Sequence, residues 1–147
     1  MAQDFPKGYV YLASPYTHED VFVREDRFLQ AIRACAYALN TLRVNITNSI
    51  VFSHPILTRY KMPVEWEFWA SYDEVVIRQC EEVWVLCIPG FTHSKGLHSE
   101  LRLARKLNKR VRYMIPDGHT YRIVNRKPKE DKLYGSIQRG RLATEEL

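Results

Sequence analysis

The residues with the clearest chemical potential lie close together, just after a run of apolar residues. Residues 83–88 (VWVLCI) have the composition of a buried strand, and a polar loop containing Ser94 and Gly96 follows them. Glu100 comes next, within the first turns of a predicted helix. A strand that passes through a polar, glycine-containing loop into a helix is a common ligand site in α/β proteins. The sequence therefore predicts a ligand site here, with Glu100 as its reactive group.

Two explanations are open for Glu100. A carboxylate near a helix start is stabilised by the helix dipole, which is a purely structural reason for its presence. The functional alternative is an ionised carboxylate close to an anomeric carbon. Glycosidic cleavage uses such a group as a nucleophile or as a base for water, because the transition state is cation-like.

The loop before Glu100 has the features of a phosphate cradle. The Ser94 hydroxyl and free backbone N–H groups would lie at a helix N-terminus, and Gly96 would let a ligand approach the backbone. The segment is not a Walker motif, and no GxGxxG follows the first predicted strand. ATPase and dinucleotide-dehydrogenase activities therefore lose their main support.

Asp73 is the second candidate carboxylate. It shares a helical stripe with apolar residues that include Trp66, Trp69 and Ile77. Burial of a carboxylate among such neighbours costs free energy unless a partner compensates. Asp73 is therefore either a functional acid or a solvated residue at the edge of the stripe.

Other residue types point away from metal and disulfide chemistry. His54, His93 and His98 match no metal-binding spacing, so no metal or other cofactor is predicted; His54 is expected to line a loop as a hydrogen-bonding group. The three cysteines are odd in number and lie in apolar segments, which indicates reduced thiols. The sequence has no signal-peptide pattern and no transmembrane-length run, so a cytoplasmic protein without membrane contact is expected.

The elements that position these residues alternate along the chain. Strands are predicted at 9–13, within 44–52, at 83–88 and at 110–115, and helices at 23–42, 63–79 and 94–108. This order predicts a parallel sheet with helices on both faces. The polar loops 14–20, 53–62 and 89–99 would then meet at the carboxyl edge of the sheet, where ligands bind. Residues 1–118 form one predicted domain, and 119–147 are interpreted as a basic extension, partly ordered or docked on a partner subunit.

The net charge is moderately positive, +5 at pH 7 with a pI of about 9.2. This surplus fits an anionic ligand such as a nucleotide, and it also fits a solvated basic face. The charges concentrate after Arg102 and do not form an aromatic-studded surface, so nucleic-acid binding is not favoured.

Several segments together resemble a family of proteins of unknown function, DUF1937. The similar segments are YLASPYTH (11–18), SHPI (53–56), PVEWEFWASYD (63–73), CEEVWVLCIPGF (80–91) and SKGLHSELRLA (94–104). That family is similar in turn to nucleoside 2-deoxyribosyltransferases and 2'-deoxynucleoside 5'-phosphate N-hydrolases.

The resemblance implies a fold, an activity and a set of site residues. It implies a flavodoxin-like (Rossmann-like) three-layer α/β sandwich with a parallel sheet of four or five strands. Glu100 would be the nucleophile, Tyr11 would orient it, and Asp73 would protonate the departing base. Glu81 is an alternative to Asp73, because the transferases place their aspartate near that position.

The resemblance also implies how the substrate is held. Ser94 and Gly96 would bind a 5'-phosphate, and Ser14, Tyr16 and His54 would complete the substrate contacts. The partner is then a nucleoside or nucleotide, and a homodimer or larger assembly would complete the site. A non-catalytic protein that binds a nucleotide or nucleotide signal in the same pocket is the alternative, and a basic nucleic-acid accessory protein is a third hypothesis.

Overall fold

A computed structural model describes residues 4–134 of the chain. The strands are β1 (Tyr9–Ala13), β2 (Asn45–Thr47), β3 (Glu82–Leu86), β4 (Arg110–Asp117) and β5 (Thr120–Val124). The helices are α1 (Val21–Tyr37), α2 (Ser49–Tyr60), α3 (Trp66–Gln79) and α4 (Lys95–Lys106), and a π-helical turn at Ala38–Leu42 continues α1.

The five strands form one sheet in the order β2-β1-β3-β4-β5. The first four are parallel, with Tyr11 opposite both Thr47 and Val83 in the register. The predicted three-layer α/β fold is therefore confirmed, in the strand order typical of flavodoxin-like sheets.

Strand β5 was not predicted. It pairs antiparallel with β4 after a turn at Gly118, whose φ is +63°. Tyr121 and Ile123 are buried on the sheet, so residues 120–124 belong to the sheet and are not peripheral to it. The predicted boundary after Gly118 falls within this hairpin. Residues 135–147 of the proposed extension lie outside the described residues.

The alternation of side chains along the strands divides the core between the two faces of the sheet. Tyr11, Val83 and Val85 point to the face covered by α3 and α4. Val10, Leu12 and Trp84 point to the face covered by α1. Both faces of the central strands are buried, as is usual for parallel sheets, so their carboxyl edge is where polar loops reach solvent.

Helix α1 packs differently from its predicted apolar stripe. In the sequence, Phe28, Ile32, Cys35, Leu39 and Leu42 recur at helical spacing, which predicts that they form the buried stripe of this helix. The buried residues on this stretch are instead the alanines Ala31, Ala34 and Ala38, whereas Ile32 and Leu39 are exposed. Small side chains allow the helix to lie close against the sheet. The alanines therefore face the sheet, and the larger residues next to them, Ile32 and Leu39, are left on the exposed side.

Helix α2 replaces a predicted loop at residues 53–62. The prediction rested on Pro55, which disfavours helix for the residue before it. Asn48 provides the compensating start signal, because its side chain accepts hydrogen bonds from the backbone N–H groups of Ile50 and Val51. Burial of Ile50 and Leu57 then stabilises a helix that contains an internal proline. No helix within residues 4–134 combines the length and apolarity needed to cross a membrane.

Candidate functional site

A narrow pocket opens at the carboxyl edge of the sheet, where α2, α3, α4 and the loop after β1 meet. The empty space between these elements, open mouth included, is about 430 Å³. Among its lining residues are Ser14, Tyr16, Ser49, Ser53, Trp66, Trp69, Asp73, Ser94, Gly96 and Glu100. The structure thus brings six of the eight predicted site residues to one pocket.

Glu100 extends from the second turn of α4 into this pocket and is 7% exposed. Its Oε2 atom has no hydrogen-bond partner among the described residues. Burial, and then the negative charge of Asp73, hold the pKa of Glu100 well above its ordinary value, while hydrogen bonding from Tyr11 acts in the opposite direction. The helix-dipole explanation alone does not account for a carboxylate that is buried with no salt bridge to any described residue.

Asp73 reaches the same pocket from α3 and is 5% exposed, so it is not the solvated residue of the alternative interpretation. Its Oδ1 atom also lacks a partner within the described chain. Burial raises the pKa of Asp73 from 3.8 to about 6, and hydrogen bonding from Ser49 acts in the opposite direction. Two buried carboxyl groups that influence each other titrate as a unit, and together they can retain a proton near neutral pH.

Tyr11 connects the two carboxyl groups through Ser49. Its hydroxyl lies 2.9 Å from Ser49 Oγ, and it also interacts with Glu100. The pKa of Tyr11 is well above its ordinary value because the ring is buried and both carboxylates are near. The phenol therefore stays protonated. Glu100, Tyr11, Ser49 and Asp73 form a continuous polar group at the base of the pocket, which we call the carboxylate network.

Sequence reasoning missed Ser49 and the residue that positions it. Asn48 caps α2, and its side-chain N–H groups donate to Leu12 O at 2.8 Å and Ser14 Oγ at 3.0 Å. One asparagine thus fixes the end of β1, the start of α2 and the pocket residue Ser14. The available signal was an asparagine two residues before an apolar residue, which is a common helix start.

The start of α4 forms another wall of the pocket. Ser94 caps the helix by accepting a hydrogen bond from Leu97 N at 3.2 Å, and its hydroxyl proton remains available to a ligand. The first N–H groups of a helix have no intrahelical partner. A Cβ on Gly96 would lie 3.2 Å from Trp66 Cβ, so this glycine permits close packing with the indole.

Tyr16 lines the pocket, but His54 does not. His54 is buried on α2, with Nδ1 2.6 Å from the Tyr16 hydroxyl and Nε2 2.6 Å from Glu25 Oε2. A carboxylate accepts hydrogen bonds, so Nε2 donates to Glu25, while Nδ1 and the Tyr16 hydroxyl share the other hydrogen bond. Phe28 stacks on the imidazole at 4.3 Å. His54 therefore orients Tyr16 from behind the pocket wall and does not contact a ligand in the pocket directly.

Glu81 is remote from the carboxylate network. Its Oε1 accepts a hydrogen bond from Gly8 N at 2.8 Å, at the amino end of β1 and therefore at the opposite edge of the sheet. Of the two candidate partner acids, Asp73 is the one that shares a pocket with Glu100. Within residues 4–134, no group of three or more His, Cys, Asp or Glu side chains is arranged to hold a metal ion.

The sheet order and the layers of helices define an α/β protein of the Rossmann-like three-layer class. The chain itself belongs to the DUF1937 family, because the model of that family, described as a domain of unknown function, matches residues 8–115. The matched range extends from β1 into β4 and contains every residue of the pocket. No curated protein matches the chain.

Proposed function

We propose that this protein cleaves or transfers the N-glycosidic bond of a deoxynucleoside or its 5'-monophosphate, with Glu100 as nucleophile. The observation that carries the proposal is the pair of buried carboxyl groups, Glu100 and Asp73, which share one pocket and form no salt bridge with any of residues 4–134. Glycosidic cleavage needs one carboxylate to attack the sugar and one acid to assist the leaving group. The resemblance to deoxyribosyltransferases and nucleotide N-hydrolases leads to the same roles.

The first step begins with a proton shared by the pair. A positive charge that develops at C1' favours ionised Glu100 and leaves the proton on Asp73. A Glu100 oxygen bonds to C1', the bond from C1' to the base breaks, and the base takes the proton from Asp73. Tyr11 orients Glu100, as the resemblance implies, and its pKa keeps its own proton in place.

The second step releases the sugar. Water, or the nitrogen of a second base, attacks C1' and returns the electron pair to Glu100. The proton of the attacking group passes to Asp73, which restores the starting state. Ser94 and the N–H groups at the start of α4 are suited to a 5'-phosphate, because a helix N-terminus attracts anions. Ser14 and Tyr16 line the rest of the pocket.

The test measures free base by reverse-phase chromatography after incubation with deoxynucleosides and their 5'-monophosphates. Glu100→Gln preserves shape but cannot attack C1', so base release should fall by about a thousandfold or more. Glu81→Gln is the matched control, because Glu81 is a carboxylate at the other edge of the sheet; its rate should equal that of the wild type.

Two results would contradict the proposal. Base release that survives Glu100→Gln would exclude Glu100 as nucleophile. Binding of a nucleotide without release from any substrate would favour the non-catalytic binder instead.

The proposal includes a homodimer or larger assembly. Exposed apolar side chains lie beside the pocket on α2 and α3: Phe52 is 52% exposed, Phe68 50% and Val75 61%. Phe52 stacks on Tyr72 with ring centroids 5.4 Å apart. Clusters of exposed aromatic residues are typical of protein interfaces. Analytical ultracentrifugation should show an oligomer that Val75→Glu weakens; a wild-type monomer at all concentrations would contradict this part.

A further inference from the structure

The last described residues of the chain return to the edge of the sheet that carries the pocket. After β5, a helical segment begins at residues 130–134. The hydroxyl of Tyr134 donates a hydrogen bond to Cys87 O, just after β3. Leu133 packs against the core cluster on the face of the sheet that α3 and α4 cover. This segment therefore contacts the loop between β3 and α4, the loop that leads to the pocket.

That loop leaves two backbone N–H groups for a partner outside it. The N–H groups of Phe91 and His93 donate to carbonyl groups of the same loop, both at 3.1 Å. The N–H groups of Gly90 and Thr92 instead donate to Oε1 of Glu130, at 3.0 and 3.2 Å. A carboxylate is a strong acceptor for backbone N–H groups. Glu130 therefore fixes the loop at two points from about 40 positions further along the chain.

Arg27 of α1 contacts the same loop from another side. Its guanidinium packs against Gly90, where a Cβ would lie 2.4 Å from Arg27 Nη2. Nη1 of the same side chain donates to Thr17 O at 3.0 Å and to Tyr16 O at 3.4 Å. Burial lowers the pKa of Arg27, and nearby carboxylates, Glu130 among them, act in the opposite direction. One side chain thus connects the loop after β1 with the loop after β3.

Both connected loops form walls of the pocket. Tyr16 and Thr17 line it from the loop after β1, and Ser94 and Gly96 line it from the start of α4, two residues after the bonded loop begins to turn into the helix. The distance between these two walls therefore depends on how the two loops are held together.

We propose that Arg27 and Glu130 are positioning residues of the pocket, which hold residues 90–92 from two sides and thereby fix the start of α4 relative to the loop after β1. We call this pair the loop clamp. The positional role does not depend on any activity. Its consequence for substrate choice rests on the proposed function, in which the start of α4 holds a 5'-phosphate.

The consequence differs for the two parts of α4. Leu97 and Leu101 are buried in the core, so they keep the body of the helix and Glu100 in place without the clamp. Ser94 comes before these anchors and directly after the clamped loop. Loss of the clamp should therefore weaken the contact to a 5'-phosphate more than the reaction at C1'.

The positional role is tested on the unliganded protein by amide hydrogen exchange, measured by NMR. Glu130→Ala should speed exchange at Gly90 and Thr92 about tenfold, because both amides lose their acceptor. Glu130→Gln keeps an acceptor oxygen and should restore most of the protection. Asp131→Ala is the matched control, because Asp131 is an exposed neighbour of Glu130; it should change neither amide. Unchanged exchange at Gly90 and Thr92 in Glu130→Ala would overturn the clamp.

The consequence for substrate choice is tested by base release from a deoxynucleoside and from its 5'-monophosphate. Glu130→Ala should lower kcat/KM for the monophosphate about threefold to tenfold, mainly through KM, and leave the nucleoside nearly unchanged. Arg27→Met removes the other half of the clamp and should change the ratio of the two substrates in the same direction. Glu130→Gln should return the ratio towards that of the wild type, which a general loss of stability would not do.

Equal losses for both substrates in Glu130→Ala would overturn this role of the clamp, and an unchanged ratio in Arg27→Met would remove Arg27 from it. If the wild type releases no base from either substrate, the proposed function fails. The exchange rates of Gly90 and Thr92 still decide in that case whether Glu130 holds the loop.

Discussion

Carboxylates are buried at both edges of the sheet, and the two edges differ in whether a cationic side chain pairs with them. At the amino edge, Glu82 Oε1 lies 2.9 Å from Arg112 Nε, and Trp84 Nε1 donates to the same carboxylate. Arg112 also donates to Asp4 O at 2.7 Å and lies under the ring of Phe5. At the carboxyl edge, Asp73 and Glu100 form no salt bridge within the described part of the chain. A buried carboxylate with a cationic partner is compensated for its lost hydration as long as that partner remains. A carboxylate that is ionised and buried without a partner lowers the free energy of unfolding. Such a cost is typical of functional sites.

The largest expected effect comes from breaking the ion pair at the amino edge. Glu82→Gln leaves the guanidinium of Arg112 buried without a counter-charge, so the free energy of unfolding should fall by about 3–5 kcal/mol. Urea denaturation measures it. Glu81→Gln is the neighbouring control and should stay within about 0.5 kcal/mol of the wild type. A small loss in Glu82→Gln would mean that the two edges do not differ as described.

Substitution at the carboxyl edge should have the opposite sign. The pKa of Asp73 in the folded protein is about 6, above its ordinary 3.8. A group with a raised pKa contributes full stability below the unfolded value and loses it as the pH rises through the folded value. Asp73→Asn should therefore raise the free energy of unfolding at pH 7.5, by at most about 3 kcal/mol, while base release is lost.

The same variant provides its own control at acid pH. Below pH 3.8 the wild-type carboxyl group is neutral in both states, so the gain from Asp73→Asn should disappear. Urea denaturation at the two pH values makes this comparison. Destabilisation at pH 7.5 that is absent at acid pH would show instead that ionised Asp73 has a stabilising partner.

The smallest effect on stability should come from Asn48, an uncharged residue that positions parts of the site. Asn48→Ala removes the cap of α2 and the donors to Leu12 O and Ser14 Oγ, and should cost about 1–2 kcal/mol. Asn48→Ser retains a capping hydroxyl and should lose less. Thermal unfolding of the two variants separates the contribution of the helix cap from that of the hydrogen bonds to Leu12 O and Ser14 Oγ. Equal losses would show that the cap itself contributes little.

The sequence was sufficient to predict the layers of the fold and most of the pocket. Periodic apolar residues and a polar loop placed α4 and Glu100, and the alternation of strands and helices implied that the loops converge at one edge. Asp73 was identified by its conflict with an apolar stripe, and its burial in the structure explains that conflict. Roles taken from the family resemblance remain predictions.

Other features depend on contacts that a sequence does not reveal. The pairing of His54 with Glu25 joins α2 to α1, and nothing local in either segment indicates it. Helix α2 was not predicted because Pro55 locally disfavours a helix. The cap at Asn48 and the burial of Ile50 and Leu57 favour the helix more strongly. Strand β5 was missed because a short hairpin strand with one buried face has a weak pattern beside a polar tail.

The position of β1 in the sheet has a consequence for biosynthesis. β1 is made first, yet its neighbour β3 follows β2 and three helices along the chain. Until β3 leaves the ribosome, the nascent chain exposes the backbone of one edge of β1, whose side chains are almost all apolar. Unpaired edges of this kind promote association between chains. Nascent chains that end before residue 82 should therefore depend on chaperones, whereas the hairpin of β4 and β5 can form as soon as it is synthesised.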